Sequence, residues 1–181
     1  MRTRVTATAL GALLMLTLAG CTTPEPTDPT PTPTSAFASE EEAFAAAEAT
    51  YRAYVDALNE VDLSDPETFE AVYEWTTGEL NGSDRKSYSQ WHSDGYTKIG
   101  DAVVVSIEPQ ATNLDVEPSE ALAHVCLDIS AVDIRDGDGA SVVAADRPDV
   151  QSLEVTFLES DDSVSGLRIS SLDPAAAVHG C

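Results

Sequence analysis

The chain has 181 residues, and its 9 Lys and Arg residues stand against 32 Asp and Glu residues, which gives a formal net charge of −23. Nucleic acids and anionic lipid surfaces are bound through clusters of Lys and Arg. The composition therefore argues against both kinds of partner. It favours a well-solvated acidic surface, or one that attracts cations. The cysteines form no CxxC pair and no cluster with histidine, so the sequence indicates no zinc site, no redox site and no cofactor.

The first 20 residues have the organisation of an export signal. Arg2 and Arg4 give a basic start, and an apolar stretch follows over residues 5–18. That stretch is shorter than the roughly 20 residues that a membrane-spanning helix needs. We therefore expect residues 1–20 to be a signal peptide and not a retained membrane helix.

The end of this signal, Leu18-Ala19-Gly20-Cys21, resembles the lipobox of a bacterial lipoprotein precursor. The acidic, alanine-rich composition is similar to that of actinobacterial proteins, in composition only. The lipobox resemblance implies cleavage before Cys21, lipidation of the Cys21 thiol, and a lipid-anchored protein on the extracytoplasmic face of the cell membrane. The alternative is a secreted protein that is cut nearby and keeps Cys21 as an ordinary thiol.

A segment rich in proline and threonine follows the lipobox. Residues 22–38 contain five prolines and six threonines and almost no large apolar side chains. Such a segment cannot bury enough surface to offset its ordering entropy, and its proline content favours an extended backbone. The sequence therefore predicts that residues 21–38 are a lipidated cysteine and a tether. Residues 39–181 then form a single domain, which is large enough to build a core without a metal.

Two cysteines, Cys126 and Cys181, remain in this domain. Outside the cytoplasm, two such cysteines are more often paired than free. We therefore expect a disulfide between them. The competing interpretations are a free buried thiol at Cys126 and an exposed terminal thiol at Cys181.

The first predicted helix begins after Ser39, which is a good N-cap residue and has Glu42 at the capping-box position. The acidic residues of the first turn favour the positive end of the helix dipole. Apolar side chains then recur at helical spacing as far as about Glu60. The predicted inner stripe consists of Phe44, Ala47, Tyr51, Tyr54, Val55 and Leu58.

Two further helices are predicted before the chain changes its periodicity. Asp65 and Pro66 mark the start of the second helix, because proline is favoured at the first helical position. Gly78 is a natural stop for it. Ser83 is expected to cap a third, shorter helix that ends near Gly95.

Beyond Gly100, apolar residues alternate with polar ones, which is the period of a β-strand. A turn at residues 136–139 predicts a hairpin into a short strand at 141–143. Helices followed by an antiparallel meander predict an α+β fold, with the helices packed on one face of a sheet of about four to five strands. The predicted inward residues are Val103, Val105, Ile107, Ala123, Val125, Leu127, Ile129, Ala131, Leu153, Val155, Phe157, Leu167 and Ile169.

Cys126 alternates with this inward set, so it is expected on the opposite face of its strand from Val125 and Leu127. A disulfide partner must then reach the sheet from outside the core. The tail over residues 174–181 is apolar enough to lie beside the sheet and bring Cys181 there.

This order of elements resembles the nuclear-transport-factor-2-like superfamily, which includes SnoaL-like and ketosteroid-isomerase-like proteins. The resemblance covers most of residues 39–181 and implies a curved, cone-like sheet around the helices, open at one end to a small apolar molecule. The side chains expected to line that hollow are Phe44, Tyr51, Tyr73, Tyr88, Trp91 and His92.

His92 and Asp94 are the nearest approach to a reactive cluster, but residues two apart on a helix do not face each other. We assign no catalytic residue and no metal ligand. We expect a non-enzymatic envelope lipoprotein whose domain binds a small apolar ligand or an envelope protein. The alternatives are a SnoaL-like or ketosteroid-isomerase-like enzyme acting on a small apolar substrate, and a structural or assembly protein of the cell envelope.

Overall fold

A computed structural model describes residues 36–176 and Cys181. The predicted signal peptide, the lipidation site at Cys21 and most of the predicted tether lie outside the described residues. Among the described residues, no helix is both long enough and apolar enough to cross a membrane.

The first helix, α1, spans Glu40–Asn59, as the sequence predicts. The Ser39 hydroxyl oxygen accepts a hydrogen bond from the Glu42 backbone N–H at 3.2 Å, and the Glu42 carboxylate accepts one from the Ala38 N–H at 2.8 Å. Both bonds satisfy donors at a helix start that would otherwise lack partners. The predicted start of α1 after Ser39 is therefore confirmed. The Glu42 side chain, however, binds the N–H of Ala38, one residue before the N–H that a capping box requires.

The second helical segment begins with a 3-10 turn at Pro66–Phe69 and continues as α2, Glu70–Tyr73. The third helix, α3, spans Gly78–Ser93, so it begins at Gly78 and not at the predicted Ser83. Gly78 has φ +60°, which glycine adopts without strain. The Asn81 side-chain amide donates to the Tyr73 carbonyl oxygen at 2.9 Å and ties the start of α3 to the preceding turn. The second helical segment therefore ends five residues before the glycine that was predicted to stop it, and Gly78 instead begins α3.

The strands form two antiparallel sheets. The main sheet contains β2 (Val103–Asn113), β3 (Glu120–Asp128), β5 (Val150–Glu159) and β6 (Leu167–Pro174), in the order β2-β3-β5-β6. Two short strands, β1 (Thr97–Ile99) and β4 (Asp133–Arg135), pair separately. The predicted α+β class, with helices packed on an antiparallel sheet of about four to five strands, is confirmed by this four-stranded sheet.

The edge strand β2 differs from its predicted pattern. Val103 and Val105 are 58% and 52% exposed, whereas Val104 and Ile107 pack against the core. The pairing register with β3 shifts between Val104 and Ser106. Such an irregularity places an extra residue in one strand and interrupts the alternation of its faces. The prediction of Val103 and Val105 as inward residues was therefore wrong.

The predicted strand at residues 141–143 is also wrong in extent, because this segment forms only an isolated bridge between Arg135 and Ser141. The turn that precedes it is present. The Asp136 carboxylate accepts hydrogen bonds from the backbone N–H groups of Asp138 and Ala140 at 3.0 and 2.9 Å. Local turn chemistry was thus predictable, and the strand after it was not.

The core lies between the helices and one face of the main sheet. Its fully buried side chains include Tyr51, Val72, Val125, Val155, Phe157, Leu167 and Ile169. All the buried hydrophobic residues of the described chain lie between Ala43 and Ile169, and Thr32–Cys181 forms one compact unit. This segment contains a core of its own, so we expect it to fold by itself.

The opposite face of β3 carries the disulfide between Cys126 and Cys181, whose Cα atoms are 5.3 Å apart. Cys126 is 1% exposed and alternates along β3 with Val125 and Leu127 of the core face. The predicted pairing is confirmed, as is the delivery of Cys181 from outside the core.

The last residues of the predicted tether contact the domain. The Ala36 N–H donates to the Glu159 carboxylate at 3.0 Å. Phe37 packs against the core and lies close to Gly166, where an added Cβ would be 3.2 Å from the Phe37 ring. The contacts of the domain therefore extend to at least Ala36.

Candidate functional site

A cavity of about 400 Å³ lies between α1, α3, the main sheet and the small β1–β4 sheet. Sites for small molecules usually have volumes of about 300–1,000 Å³ and mostly apolar linings with a few polar groups. This cavity has both properties. Its apolar and aromatic lining residues are Tyr51, Tyr54, Leu58, Leu63, Tyr88, Trp91, Ala102, Leu127, Ile129, Val132, Ile134, Leu153 and Leu172. Its remaining lining residues are Asn59, Lys98, Arg147 and Gln151.

Three of the predicted lining residues, Tyr51, Tyr88 and Trp91, do line this cavity. Tyr88 and Trp91 meet edge to face with ring centroids 5.5 Å apart, and Tyr51 contacts Tyr54 at 5.9 Å. These are favourable aromatic geometries that hold the rings in place. Helical spacing brings the four rings together, because α1 supplies one pair and α3 supplies the other.

The other three predicted lining residues lie elsewhere, and this corrects the sequence-based list. Phe44 is half-buried and lies beside Ile107 and Pro109 of β2. Tyr73 contacts Tyr88, with ring centroids 6.1 Å apart, but is not itself a lining residue. His92 is exposed, and its Nδ1 is 2.8 Å from the Leu63 carbonyl oxygen. The helical pattern identified the buried side of each helix but not which part of that side faces the cavity.

Lys98 and Arg147 are the charged lining residues that sequence reasoning missed. Lys98 lies on β1, a three-residue strand with no clear alternation, and Arg147 lies in the connection between β4 and β5. The available signal was their rarity, since the whole chain has only 9 basic residues. Rarity alone could not place them at one cavity.

The Lys98 ammonium donates to the Asn59 carbonyl oxygen at 3.0 Å, at the end of α1. Burial lowers the pKa of Lys98, and the negative charges of Asp101 and Glu60 oppose that shift. The Arg147 guanidinium donates through Nη2 to the carbonyl oxygens of Ile129 and Val132 at 2.9 and 2.8 Å.

Burial raises the pKa values of Tyr51, Tyr54 and Tyr88 above the ordinary tyrosine value, so these hydroxyls are protonated at neutral pH. The Tyr51 hydroxyl is buried and has no hydrogen-bond partner among the described residues. A buried hydroxyl without a partner carries a desolvation cost. The cavity therefore includes a lining residue with an unused donor and acceptor.

Asp84, on α3, is a carboxylate whose negative charge acts on two tyrosines of the cavity lining, Tyr54 and Tyr88. Burial raises its pKa to about 6, and its Oδ2 has no hydrogen-bond partner in the described part of the chain. Its charge also contributes to the raised pKa values of Tyr54 and Tyr88. However, Asp84 is not a lining residue, and the described lining contains no Asp, Glu or His. The described lining therefore offers no carboxylate or imidazole, and its titratable groups are phenols and the Lys98 ammonium.

His92 and Asp94 form no dyad. The Asp94 carboxylate accepts a hydrogen bond from the Gln90 side chain at 2.9 Å, while His92 contacts the Leu63 carbonyl oxygen. Residues two apart at the end of a helix do not face each other, as the sequence predicts.

His124, Cys126 and Cys181 bring ligand-type atoms within 4.8 Å of one another. Both sulfur atoms belong to the disulfide, so neither is available as a thiolate ligand. The Nε2 atom of His124 is 2.8 Å from the Ser152 hydroxyl. In this oxidised state the group is a structural cluster on the outer face of the sheet.

A second hollow, of about 340 Å³, lies beside the start of α3 and is lined mostly by polar residues. Its Arg85 stacks on the Tyr73 ring at 4.0 Å and lies 3.5 Å from the Glu70 carboxylate. A second cation, Arg168, also lines this hollow, and its buried Nε has no hydrogen-bond partner among the described residues. Because the lining is mostly polar and offers a ligand little apolar surface, this hollow is a weaker candidate for a binding site than the apolar cavity.

No family model matches this sequence, and no curated protein matches it. Among solved structures, the intermembrane-space region of the chloroplast protein ARC6 is 13% identical, with a TM-score of 0.47 over 71% of this chain and 95% of that chain. A periplasmic fragment of TraM is 14% identical, with a TM-score of 0.40 over 78% of this chain and 100% of that chain. A de novo designed β-sheet protein is 15% identical, with a TM-score of 0.26 over 78% of this chain and 93% of that chain. These low scores carry no argument about function.

Proposed function

We propose that this protein is a lipid-anchored, extracytoplasmic lipoprotein whose single domain binds a small apolar ligand without catalysing a reaction. The observation that carries the binding part is the cavity of about 400 Å³ with its mostly apolar lining. A ligand that enters such a cavity removes its own apolar surface from water, which is the main favourable contribution to binding.

Binding is favoured over catalysis by the kinds of side chain at the cavity. An isomerase-type site needs a carboxylate or imidazole within hydrogen-bond reach of the substrate. The described lining offers phenols and cations but no Asp, Glu or His. Asp84, which has an unpaired carboxylate oxygen, lies outside this lining.

Ligand binding can be tested with Nile red, a neutral apolar dye that becomes fluorescent in apolar surroundings. The segment Thr32–Cys181 should bind it with saturable, one-to-one stoichiometry. The variant Ala102→Phe, which places a larger side chain in the cavity lining, should weaken dye binding by about tenfold or more.

Ala111→Phe is the matched control, because Ala111 is exposed on the edge strand β2 and does not line the cavity. This variant should bind Nile red as the unmodified segment does. Equal loss in both variants, or no saturable binding at all, would refute the proposed binding function.

The lipid anchor rests on the resemblance of residues 18–21 to a lipobox. The full chain, expressed in a bacterial host, should partition into the detergent phase and yield an N-terminal peptide carrying a diacylglyceryl group on Cys21. Two acyl chains are needed for stable anchoring. Cys21→Ala should abolish the modification and the cleavage before position 21. An unmodified Cys21 in the mature protein would refute the anchor and leave the binding proposal intact.

A further inference from the structure

We propose that the ligand of the cavity is a single-chain amphiphile with an anionic head group, and that Lys98 and Arg147 bind this head group while its tail occupies the apolar lining. This inference rests on the proposed ligand-binding function and adds the chemical class of the ligand.

The two cations approach the same short segment of the cavity lining. Lys98 is the pairing partner of Ile134 in the β1–β4 sheet. Arg147 donates to the carbonyl oxygen of Val132 at 2.8 Å. Val132 and Ile134 are two residues apart and both line the cavity. Two basic side chains far apart in the sequence are therefore brought to the same side of one hollow.

Both side chains keep hydrogen-bond donors free for a ligand. An ammonium has three donors and a guanidinium has five. Within the described part of the chain, the Lys98 ammonium makes one hydrogen bond, to the Asn59 carbonyl oxygen, and Arg147 makes two, both through Nη2. The Nε and Nη1 donors of Arg147 have no described partner, so a carboxylate or phosphate oxygen could bind there.

Neither cation is neutralised by an ion pair. No carboxylate of the described residues lies within 4.0 Å of Lys98 or Arg147, and Glu60 and Asp101 act on Lys98 only from longer range. Arg52, Arg85 and Arg135 each pair with a carboxylate, whereas Lys86 and Arg168 also have no ion pair among the described residues. Lys98 and Arg147 differ from these two in lining the apolar cavity. Half-buried cations without an ion-pair partner favour an anionic ligand.

The acidic surface does not contradict this inference. At physiological ionic strength, exposed charges farther than about 8 Å are largely screened. A head group in contact with Lys98 and Arg147 interacts with them through charge-assisted hydrogen bonds, which are stronger than neutral ones. The net charge of −23 instead opposes contact with an extended anionic surface such as a membrane. A small amphiphile that enters the cavity fits both observations.

The inference can be tested by displacement of Nile red from the segment Thr32–Cys181. Three competitors with the same tail are compared below their micelle concentrations: dodecanoate, dodecanol and dodecyltrimethylammonium. Dodecanoate should displace the dye at a concentration about tenfold or more below that of dodecanol, because it alone can use both cations. Dodecyltrimethylammonium should be the weakest competitor.

Lys98→Met keeps the length of the side chain but removes its charge, so it should reduce the preference for dodecanoate over dodecanol, measured as the ratio of the two affinities within the variant. Lys86→Met is the matched control, because Lys86 is exposed on α3 and does not line the cavity. It should keep the full preference. Arg147→Met is the second variant, and its thermal unfolding is measured first because Arg147 also binds two carbonyl oxygens.

Two results would overturn the inference and leave the proposed function standing. One is equal displacement by dodecanoate and dodecanol in the unmodified segment. The other is a carboxylate preference that persists in both Lys98→Met and Arg147→Met. Failure of Nile red to bind the unmodified segment would instead refute the proposed function on which the inference rests.

Discussion

The two faces of β3 are both buried, but they are covered in different ways. On one face, Val125 and Leu127 contact the helical side of the protein through noncovalent packing, and a cavity remains beside Leu127. On the other face, Cys126 is bonded to Cys181 at the end of the chain. The helical side therefore combines stability with space for a ligand, whereas the outer side is held closed by a covalent bond.

The two faces of β3 also differ in the hydrogen bonding of their buried polar groups. On the outer face, the Ser152 hydroxyl donates to the Ala176 carbonyl oxygen at 3.2 Å, so it accepts from His124, whose Nε2 is 2.8 Å away. This network places a proton on His124 Nε2, and Nδ1 has no hydrogen-bond partner among the described residues. On the helical side, the unpaired groups are the Tyr51 hydroxyl and a carboxylate oxygen of Asp84. Burying a charged carboxylate without a partner costs more free energy than burying a neutral polar group. The larger desolvation cost therefore lies on the helical side, where the cavity is.

The largest expected effect comes from removing the disulfide between Cys126 and Cys181. The disulfide closes a loop with a sequence separation of 55 residues. Cys181→Ser should lower the free energy of unfolding by about 4 kcal/mol according to the chain-entropy treatment of such loops. Nile red binding under native conditions should persist, because the cavity lies on the other face of β3. Urea unfolding and dye titration of Thr32–Cys181 measure the two quantities.

Reduction of the unmodified segment with a thiol reductant is the control for this substitution. It should reproduce the loss of stability, and it should have no further effect on Cys181→Ser. A change below about 1 kcal/mol would mean that the bond adds little to this face. If Cys181→Ser is fully folded but no longer binds Nile red, the two faces of β3 are coupled and not independent.

Much of the fold is predictable because local chemistry determines it. Ser39 and the acidic turn after it mark the start of α1, and alternation identifies Val125 as inward and Cys126 as outward. The start of α3 was misplaced because glycine is typical of a helix end, whereas Gly78 begins a helix. The hydrogen bond from the Thr77 N–H to the Ile169 carbonyl oxygen, which fixes this position, is a long-range contact. A sequence pattern does not report such a contact.

The candidate site was predictable only in its aromatic part. Tyr51, Tyr88 and Trp91 follow from helical spacing. Lys98 and Arg147 do not, because β1 pairs with β4 across more than thirty intervening residues and neither strand exceeds three residues. Strands this short have no readable period. The chemistry of the head group site is therefore a product of tertiary structure.

The smallest expected effect tests the polar burial on the helical side. Burial raises the pKa of Asp84 from the ordinary value of 3.8 to about 6. A carboxyl group with a raised pKa in the folded state stabilises the protein when it is protonated, and this contribution is complete below about pH 4 and lost as the pH rises through about 6. At neutral pH the ionised, half-buried carboxylate opposes folding.

Asp84→Asn keeps the shape of the side chain and removes its charge. At about pH 7 it should raise the free energy of unfolding by about 1 kcal/mol, a value already reduced for solvent screening of a half-exposed group. The gain should shrink towards zero below about pH 4, where Asp84 is protonated in both states. Asp56→Asn, at an exposed position of α1, should change stability by less than about 0.5 kcal/mol. Stabilisation by Asp84→Asn that does not depend on pH would show that packing, and not the charge, limits stability beside the cavity.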